Sequence, residues 1–159
     1  MKQVSIIGIG LIGGSFALDL KHYIPEVQIT GIDQNKTHLT EAMKLGIIDQ
    51  TGDLKSLENA DLVVLAIPVN AALEVLPQVL NFISDKAVVI DMGSTKEAIC
   101  KAVSTHPRRP QFLATHPISG TEFSGPSAAI HGLFKNKTNI ICEVENTLPV
   151  LGELVLTLF

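Results

Sequence analysis

Val4-Ser5-Ile6-Ile7-Gly8-Ile9-Gly10-Leu11-Ile12-Gly13-Gly14 runs an apolar, β-branched stretch straight into Gly-x-Gly-x-x-Gly, and helix-forming residues follow. Strand, glycine turn and helix in that order form the cradle that a dinucleotide pyrophosphate needs. Gly8 permits the tight turn, Gly10 lets backbone approach the phosphates, and Gly13 lets the helix pack close to the strand. Leu11, Ile12 and Gly13 open the helix and present its unpaired N–H groups and positive dipole end to the anion. A second apolar run, Val27-Gln28-Ile29-Thr30-Gly31-Ile32, ends on Asp33, 20 positions beyond Gly13. That carboxylate is placed to accept hydrogen bonds from the adenosine ribose and to repel a 2′-phosphate. Gln34, Asn35 and Lys36 follow with no arginine to hold such a phosphate, so the expected cofactor is NAD. The structural alternative for Asp33 is a helix cap.

Elsewhere strands and helices alternate. The pattern predicts strands at 3–8, 27–32, 61–67, 87–91, 111–115 and 138–143, and helices at 11–23, 35–45, 70–81, 95–104 and 147–159. Residues 117–137 are rich in Gly, Ser and Pro and read as loop with one short helix at most. Strands separated by helices of this length imply βαβ units and a doubly wound α/β (Rossmann) parallel sheet with helices on both faces. The expected order is 3-2-1-4-5-6, with the cofactor over the switch point between strands 1 and 4.

The chain has 159 residues, 46% apolar and 18% charged, with a formal net charge of −4. That length suits one domain with a substantial core. The charge balance offers no basic face for nucleic acid or an anionic membrane. No run is long and apolar enough to span a bilayer, and the glycine-studded N-terminus lacks a small-x-small cleavage site. Cys100 and Cys142 lack Cys-x-x-Cys spacing and read as ordinary buried thiols of a reducing compartment, with a cytoplasmic location as the default. The apolar segment from Asn146 to Phe159 has near-helical spacing and no capping signal. It is read as leading into a longer protein.

Ligands of such sheets bind at the carboxyl ends of the strands. The residues with chemistry follow strands there: 8–13, Asp33, Pro68, Ser94-Thr95-Lys96 and Thr115-His116-Pro117. His106 shares the Thr-His-Pro tripeptide but precedes the fifth strand, so it falls on the opposite rim with Arg108 and Arg109, in what reads as a solvated turn. His22, His38 and His131 have no partner motif and read as surface residues. His116 is the candidate general base for an alcohol proton. Ser94 is placed to bond the same hydroxyl or to fix the imidazole. It also reads as the cap of the helix at 95–104, with Glu97 completing a capping box.

Together with the glycine turn, Asp91-Met92-Gly93-Ser94-Thr95-Lys96 and His116-Pro117-Ile118-Ser119-Gly120-Thr121-Glu122-Phe123-Ser124-Gly125 resemble the cofactor domain of the prephenate/arogenate dehydrogenase family. The resemblance covers essentially all of 1–159. It implies NAD-dependent oxidative decarboxylation of prephenate or arogenate in tyrosine biosynthesis. His116 then matches the catalytic histidine and Ser94 the active-site serine, while Gly8, Gly10, Leu11, Ile12, Gly13, Asp33, Pro68 and Ser94 border the cofactor. It also implies a helical domain beyond residue 159 that dimerises the protein and completes the substrate pocket. The two arginines lie on the wrong rim and Lys96 serves its own helix, so the carboxylate-binding arginine is expected from that further domain. No metal is expected. Two readings of another class stay open: an NAD(P)-linked β-hydroxyacid dehydrogenase or imine reductase, and a non-catalytic dinucleotide-sensing module.

Overall fold

The computed structural model describes residues 1–149 and Glu153. Its framework is one seven-stranded sheet in the order β3-β2-β1-β4-β5-β6-β7. The strands are β1 (Gln3–Ile7), β2 (Gln28–Ile32), β3 (Gln50–Thr51), β4 (Leu62–Leu65), β5 (Val88–Asp91), β6 (Phe112–Pro117) and β7 (Asn139–Cys142). The first six are parallel, and β7 runs antiparallel to β6. The helices are α1 (Leu11–Tyr23), α2 (Lys36–Lys44), α3 (Val69–Phe82) and α4 (Glu97–Val103).

Alternation along the buried strands builds two cores. Val4, Ile6, Leu62, Val64, Val88, Ile90 and Leu113 face one side, where Phe16, Ala17 and Leu20 of α1 and Ala42 of α2 cover them. Ile7, Val63, Leu65, Val89, Phe112 and Ala114 face the other, under Leu76, Val79 and Leu80 of α3 and Ile99 and Val103 of α4. Near-continuous Val/Ile/Leu strands are what a sheet covered on both faces requires. The expected α/β doubly wound class is therefore observed.

The order 3-2-1-4-5-6 holds for the first six strands, but the six predicted segments do not map onto it. β3 is two exposed polar residues, Gln50 and Thr51, and carries no hydrophobic signal. It takes the third place, so the segment predicted at 61–67 becomes β4 and lies directly against β1. The switch point therefore falls between β1 and β4. The last strand departs from the parallel expectation because 118–138 returns without a crossover helix, containing only the 3-10 turn Pro126–Ala128. A chain that stays at one end of the sheet comes back antiparallel.

Residues 118–138 instead fold over α1. Ile130 N–H donates to Ser15 Oγ (3.0 Å) and Gly132 N–H to Asp19 Oδ1 (2.7 Å). Phe134 meets Phe16 edge-on with ring centroids 6.0 Å apart. His131 is not a lone surface residue: its Nδ1 lies 2.5 Å from Asp19 Oδ1, and its ring sits 4.3 Å from that of His22. The helix expected at 147–159 lies mostly outside the described residues. Among those described, no helix is long and apolar enough to cross a membrane.

Candidate active site

The carboxyl ends of the six parallel strands share one edge of the sheet, and the candidate residues gather along it. Gly8 adopts φ +94°, and a Cβ there would lie 2.5 Å from the Ala66 carbonyl oxygen of the chain leaving β4. A Cβ on Gly13 would lie 2.1 Å from the Gly8 carbonyl oxygen. Both glycines are thus required by the protein's own packing. Gly10 is not: it has an ordinary φ of −95°, and a Cβ would meet nothing within 4 Å. It caps α1 without a side-chain hydrogen bond, and no acidic residue stands in the first turn. The first N–H groups of a helix have no intrahelical acceptor. Leu11 and Ile12 therefore open a helix whose end suits an anion, beside a space that Gly10 leaves clear. These residues fit a dinucleotide pyrophosphate.

Asp33 follows β2 and does more than the sequence suggests. Its Oδ2 accepts the Ile9 N–H of the glycine elbow (2.9 Å), and its Oδ1 accepts the Asn35 N–H (2.8 Å). It thereby ties the β1–α1 turn to the end of β2. It is not the cap of α2; Asn35 is, accepting from Thr37 N–H at 2.9 Å. A carboxylate has about four acceptor sites, so lone pairs remain for a ribose. His38, read as a surface residue, brings Nδ1 to 3.6 Å from Asp33 Oδ2. Pro68 is exposed and caps the start of α3 beyond β4.

At the ends of β5 and β6 a buried ion pair joins two strands. The Lys96 ammonium bonds Asp91 Oδ2 and donates to the Thr115 carbonyl (2.7 Å). Asp91 Oδ1 accepts the Thr115 N–H (3.2 Å), and the Thr115 hydroxyl donates to the Asp91 carbonyl (2.5 Å). Burial pushes the Asp91 carboxyl above the ordinary carboxylate range, against the pull of Lys96 and of the Thr115 and Gly93 N–H groups. This clamp joins the turn that carries Ser94 to the strand that carries His116. It also occupies Lys96, which therefore offers no cation to a ligand.

The clamp corrects the reading of Ser94. Helix α4 begins at Glu97 with Lys96 as its cap residue, and no side chain caps it. The backbone at 94–96 is drawn toward Asp91 and Thr115, so Ser94 forms no capping box. It is exposed, and among the described residues its hydroxyl has no partner. His116 is not a loop residue after the strand. It lies within β6, opposite Ile140, because pairing with β7 prolongs the strand to Pro117. Half-buried there, it lines an open cavity of about 580 Å³ with Ile118, Ser119, Gly120, Ile130 and Lys137, among others. Lys137 escaped the sequence reading, which placed it in loop; in the structure it lines the same cavity as His116.

The opposite rim holds the residues assigned to it, but the turn is only partly solvated: Pro107 and Pro110 are exposed, Arg108 is half-buried and Arg109 is buried. Arg109 is buried, with Nη2 2.8 Å from Glu143 Oε2 and the guanidinium over the Phe112 ring. Arg108 bonds the Ile83 carbonyl and Asp85. A larger cavity, about 860 Å³, borders this rim beside His106, Arg109 and Glu143, away from the glycine elbow. Cys100 is buried and its thiol is pushed up to about 11, chiefly by burial. Cys142, expected buried, is only half-buried. Among the described residues no group of side chains could hold a metal.

The family model described as "Prephenate dehydrogenase, nucleotide-binding domain" matches residues 16–157. The chain belongs to the prephenate dehydrogenase family. It is 37% identical over 155 residues to the prephenate dehydrogenase of Lactococcus lactis subsp. cremoris, covering 95% of this chain and 44% of that one. The Bacillus subtilis prephenate dehydrogenase is 36% identical over 152 residues, covering 92% and 41%. The domain thus spans less than half the length of these curated relatives. It superposes with a TM-score of 0.90 on the A. aeolicus prephenate dehydrogenase solved with hydroxyphenyl propionate and NAD+, at 31% identity, covering 99% of this chain and 56% of that one. Synechocystis arogenate dehydrogenase superposes at 0.89 with 27% identity, over 99% of this chain and 55% of its own.

Proposed function

We propose that this domain binds NAD and, within the full-length protein, supports oxidative decarboxylation of prephenate or arogenate. The observation that carries the reading is the placement of His116. It lies half-buried at the carboxyl end of β6, on the same sheet edge as the glycine elbow, in a cavity with apolar and polar walls. Gly8, Gly10, Leu11, Ile12 and Gly13 cradle the pyrophosphate, Asp33 takes the adenosine ribose, and Pro68 and Ser94 border the cofactor's path along the edge. NAD, when bound, supplies the hydride acceptor. Neutral His116 accepts the proton of the substrate's ring hydroxyl, and Ser94 orients that hydroxyl. Oxidation at the carbinol carbon leaves the ring carboxylate vinylogous to a ketone, and carbon dioxide departs as the ring becomes aromatic. The protein's task is then proximity, one base and charge placement. The same reading extends to a cytoplasmic homodimer.

The test uses two proteins. Residues 1–159 should bind NAD by titration calorimetry yet show negligible prephenate turnover, because the further carboxylate contacts belong to the rest of the chain. The full-length protein should release carbon dioxide and form NADH with prephenate or arogenate. NAD binding without turnover of either substrate by the full-length protein would favour the sensing module. Robust turnover by 1–159 would refute the need for a further domain.

Cofactor choice gives a separate expectation. A charge-assisted hydrogen bond is worth roughly 1.5–3 kcal/mol, on the order of tenfold to a hundredfold in affinity. NAD should therefore bind tighter than NADP by about that factor, with the Asp33 carboxylate also repelling the 2′-phosphate. Parallel titrations decide it, and tighter NADP binding defeats the assignment.

A further inference from the structure

We propose that Lys137 forms a carboxylate subsite beside His116 and holds an acid group of the substrate from this domain. The inference rests on the reading of His116 given above. The wall of its cavity contains Ile118, Ser119, Ile130, Leu133 and Lys137. Lys137 is the one residue of that lining with a permanent charge, and no carboxylate is among the lining residues. Among the described residues Lys137 has no ion pair, although acidic residues outnumber basic ones in the chain as a whole, 16 to 12. A cation left without a counter-ion beside an imidazole and aliphatic side chains suits an anion with an apolar body. The Ser119 hydroxyl is committed, donating to the Leu133 carbonyl (2.6 Å), so it adds no charge to the wall.

The position of Lys137 is built into the fold. Ile118 N–H donates to the Thr138 carbonyl (2.8 Å), extending the β6–β7 ladder one step beyond Pro117 and Asn139. The ladder stops there: Ser119 N–H turns back to the Pro117 carbonyl (2.9 Å), and Lys137, the residue before Thr138, reaches the cavity from the adjoining turn. Asn136, at φ +59°, reverses the chain just before it, and Lys137 N–H donates to the Phe134 carbonyl (3.1 Å). Phe134 is itself seated on Phe16 of α1. The helix that presents its N-terminus to the cofactor thus also supports the turn that presents Lys137. The ligand that meets this wall is a six-membered ring with a hydroxyl for His116 and a carboxylate for the ammonium.

The experiment uses the full-length protein loaded with NAD, in wild-type, Lys137→Met and Lys137→Arg forms. Calorimetry measures 3-(4-hydroxyphenyl)propionate and its uncharged amide, and steady-state kinetics measures prephenate and arogenate. Lys137→Met, at an exposed position, should weaken the carboxylate about tenfold to a hundredfold, leave the amide and NAD unchanged, and raise KM more than it lowers kcat. Lys137→Arg should restore most of the loss. Equal carboxylate affinity in the wild type and Lys137→Met, or no carboxylate binding by the wild type, overturns the subsite. Turnover with an unmoved KM overturns it while sparing the dehydrogenase reading. Absent turnover with Lys137-dependent carboxylate binding sinks the reaction and keeps the subsite.

Discussion

His116→Asn in the full-length enzyme should lower kcat by roughly 10²–10⁴-fold, the usual contribution of a positioned general base. Its Kd for NAD should stay within about twofold of wild type. Asparagine keeps a polar side chain that can hydrogen-bond a hydroxyl, but it cannot take up the proton. The fold should tolerate the change: His116 is half-buried, and among the described residues no hydrogen bond engages its ring. Its strand is fixed from neighbouring positions, through Thr115 to Asp91 and through the backbone ladder with β7. Stopped assays of NADH formation, with NAD binding measured in parallel, check both points. A variant turning over within a few-fold of wild type removes His116 from the chemistry.

What the sequence disclosed and what it concealed divide along a physical line. The glycine elbow was legible because each requirement is local: a positive φ at Gly8, a close helix at Gly13 and a free helix end at Leu11 all lie within six residues. Strand hydrophobicity was legible because the sheet is covered on both faces. β3 was not, since Gln50 and Thr51 pair with β2 through backbone alone. Ser94-Thr95-Lys96-Glu97 carries the pattern of a capping box, but Lys96 is recruited by Asp91 and by Thr115, 19 residues away. Tertiary attraction overrode a local signal there. Arg109 likewise looked like part of a solvated turn because its partner, Glu143, lies 34 residues on, across the β6–β7 pairing. Lys137 was hidden because the cavity it lines is completed by His116 from another element. Residues that act through local backbone geometry can be read from one stretch of chain, whereas charges whose partners arrive from another element need the fold.

Gly10→Ala and Gly13→Ala should change NAD binding and stability in different proportions, although the two residues sit three positions apart in one motif. At Gly13 the new methyl would be placed 2.1 Å from the Gly8 carbonyl oxygen and 3.0 Å from Ile6 Cγ2. Backbone and a core strand residue cannot both withdraw, so α1 must lift from the sheet. Overpacking of this kind costs about 1–3 kcal/mol, and at about 2–4 °C per kcal/mol a domain of this size should lose several degrees in Tm. NAD binding should weaken with it, because the helix end moves. At Gly10 the methyl meets nothing within 4 Å, and the backbone angles of −95° and −156° are open to any L-residue. Replacing glycine where the conformation is already permitted stabilises a fold by about 0.4–1 kcal/mol through the unfolded chain. The Tm of Gly10→Ala should therefore hold or rise. NAD affinity should nevertheless fall by roughly tenfold to a hundredfold, because the methyl fills the space in which phosphate oxygens would meet the N–H groups of α1. Thermal melts and calorimetry on 1–159 measure both quantities. Undiminished NAD affinity in Gly10→Ala, with the fold intact, means that the pyrophosphate does not lie against this turn. The NAD-binding assignment for the elbow then fails, whatever the behaviour of Gly13→Ala.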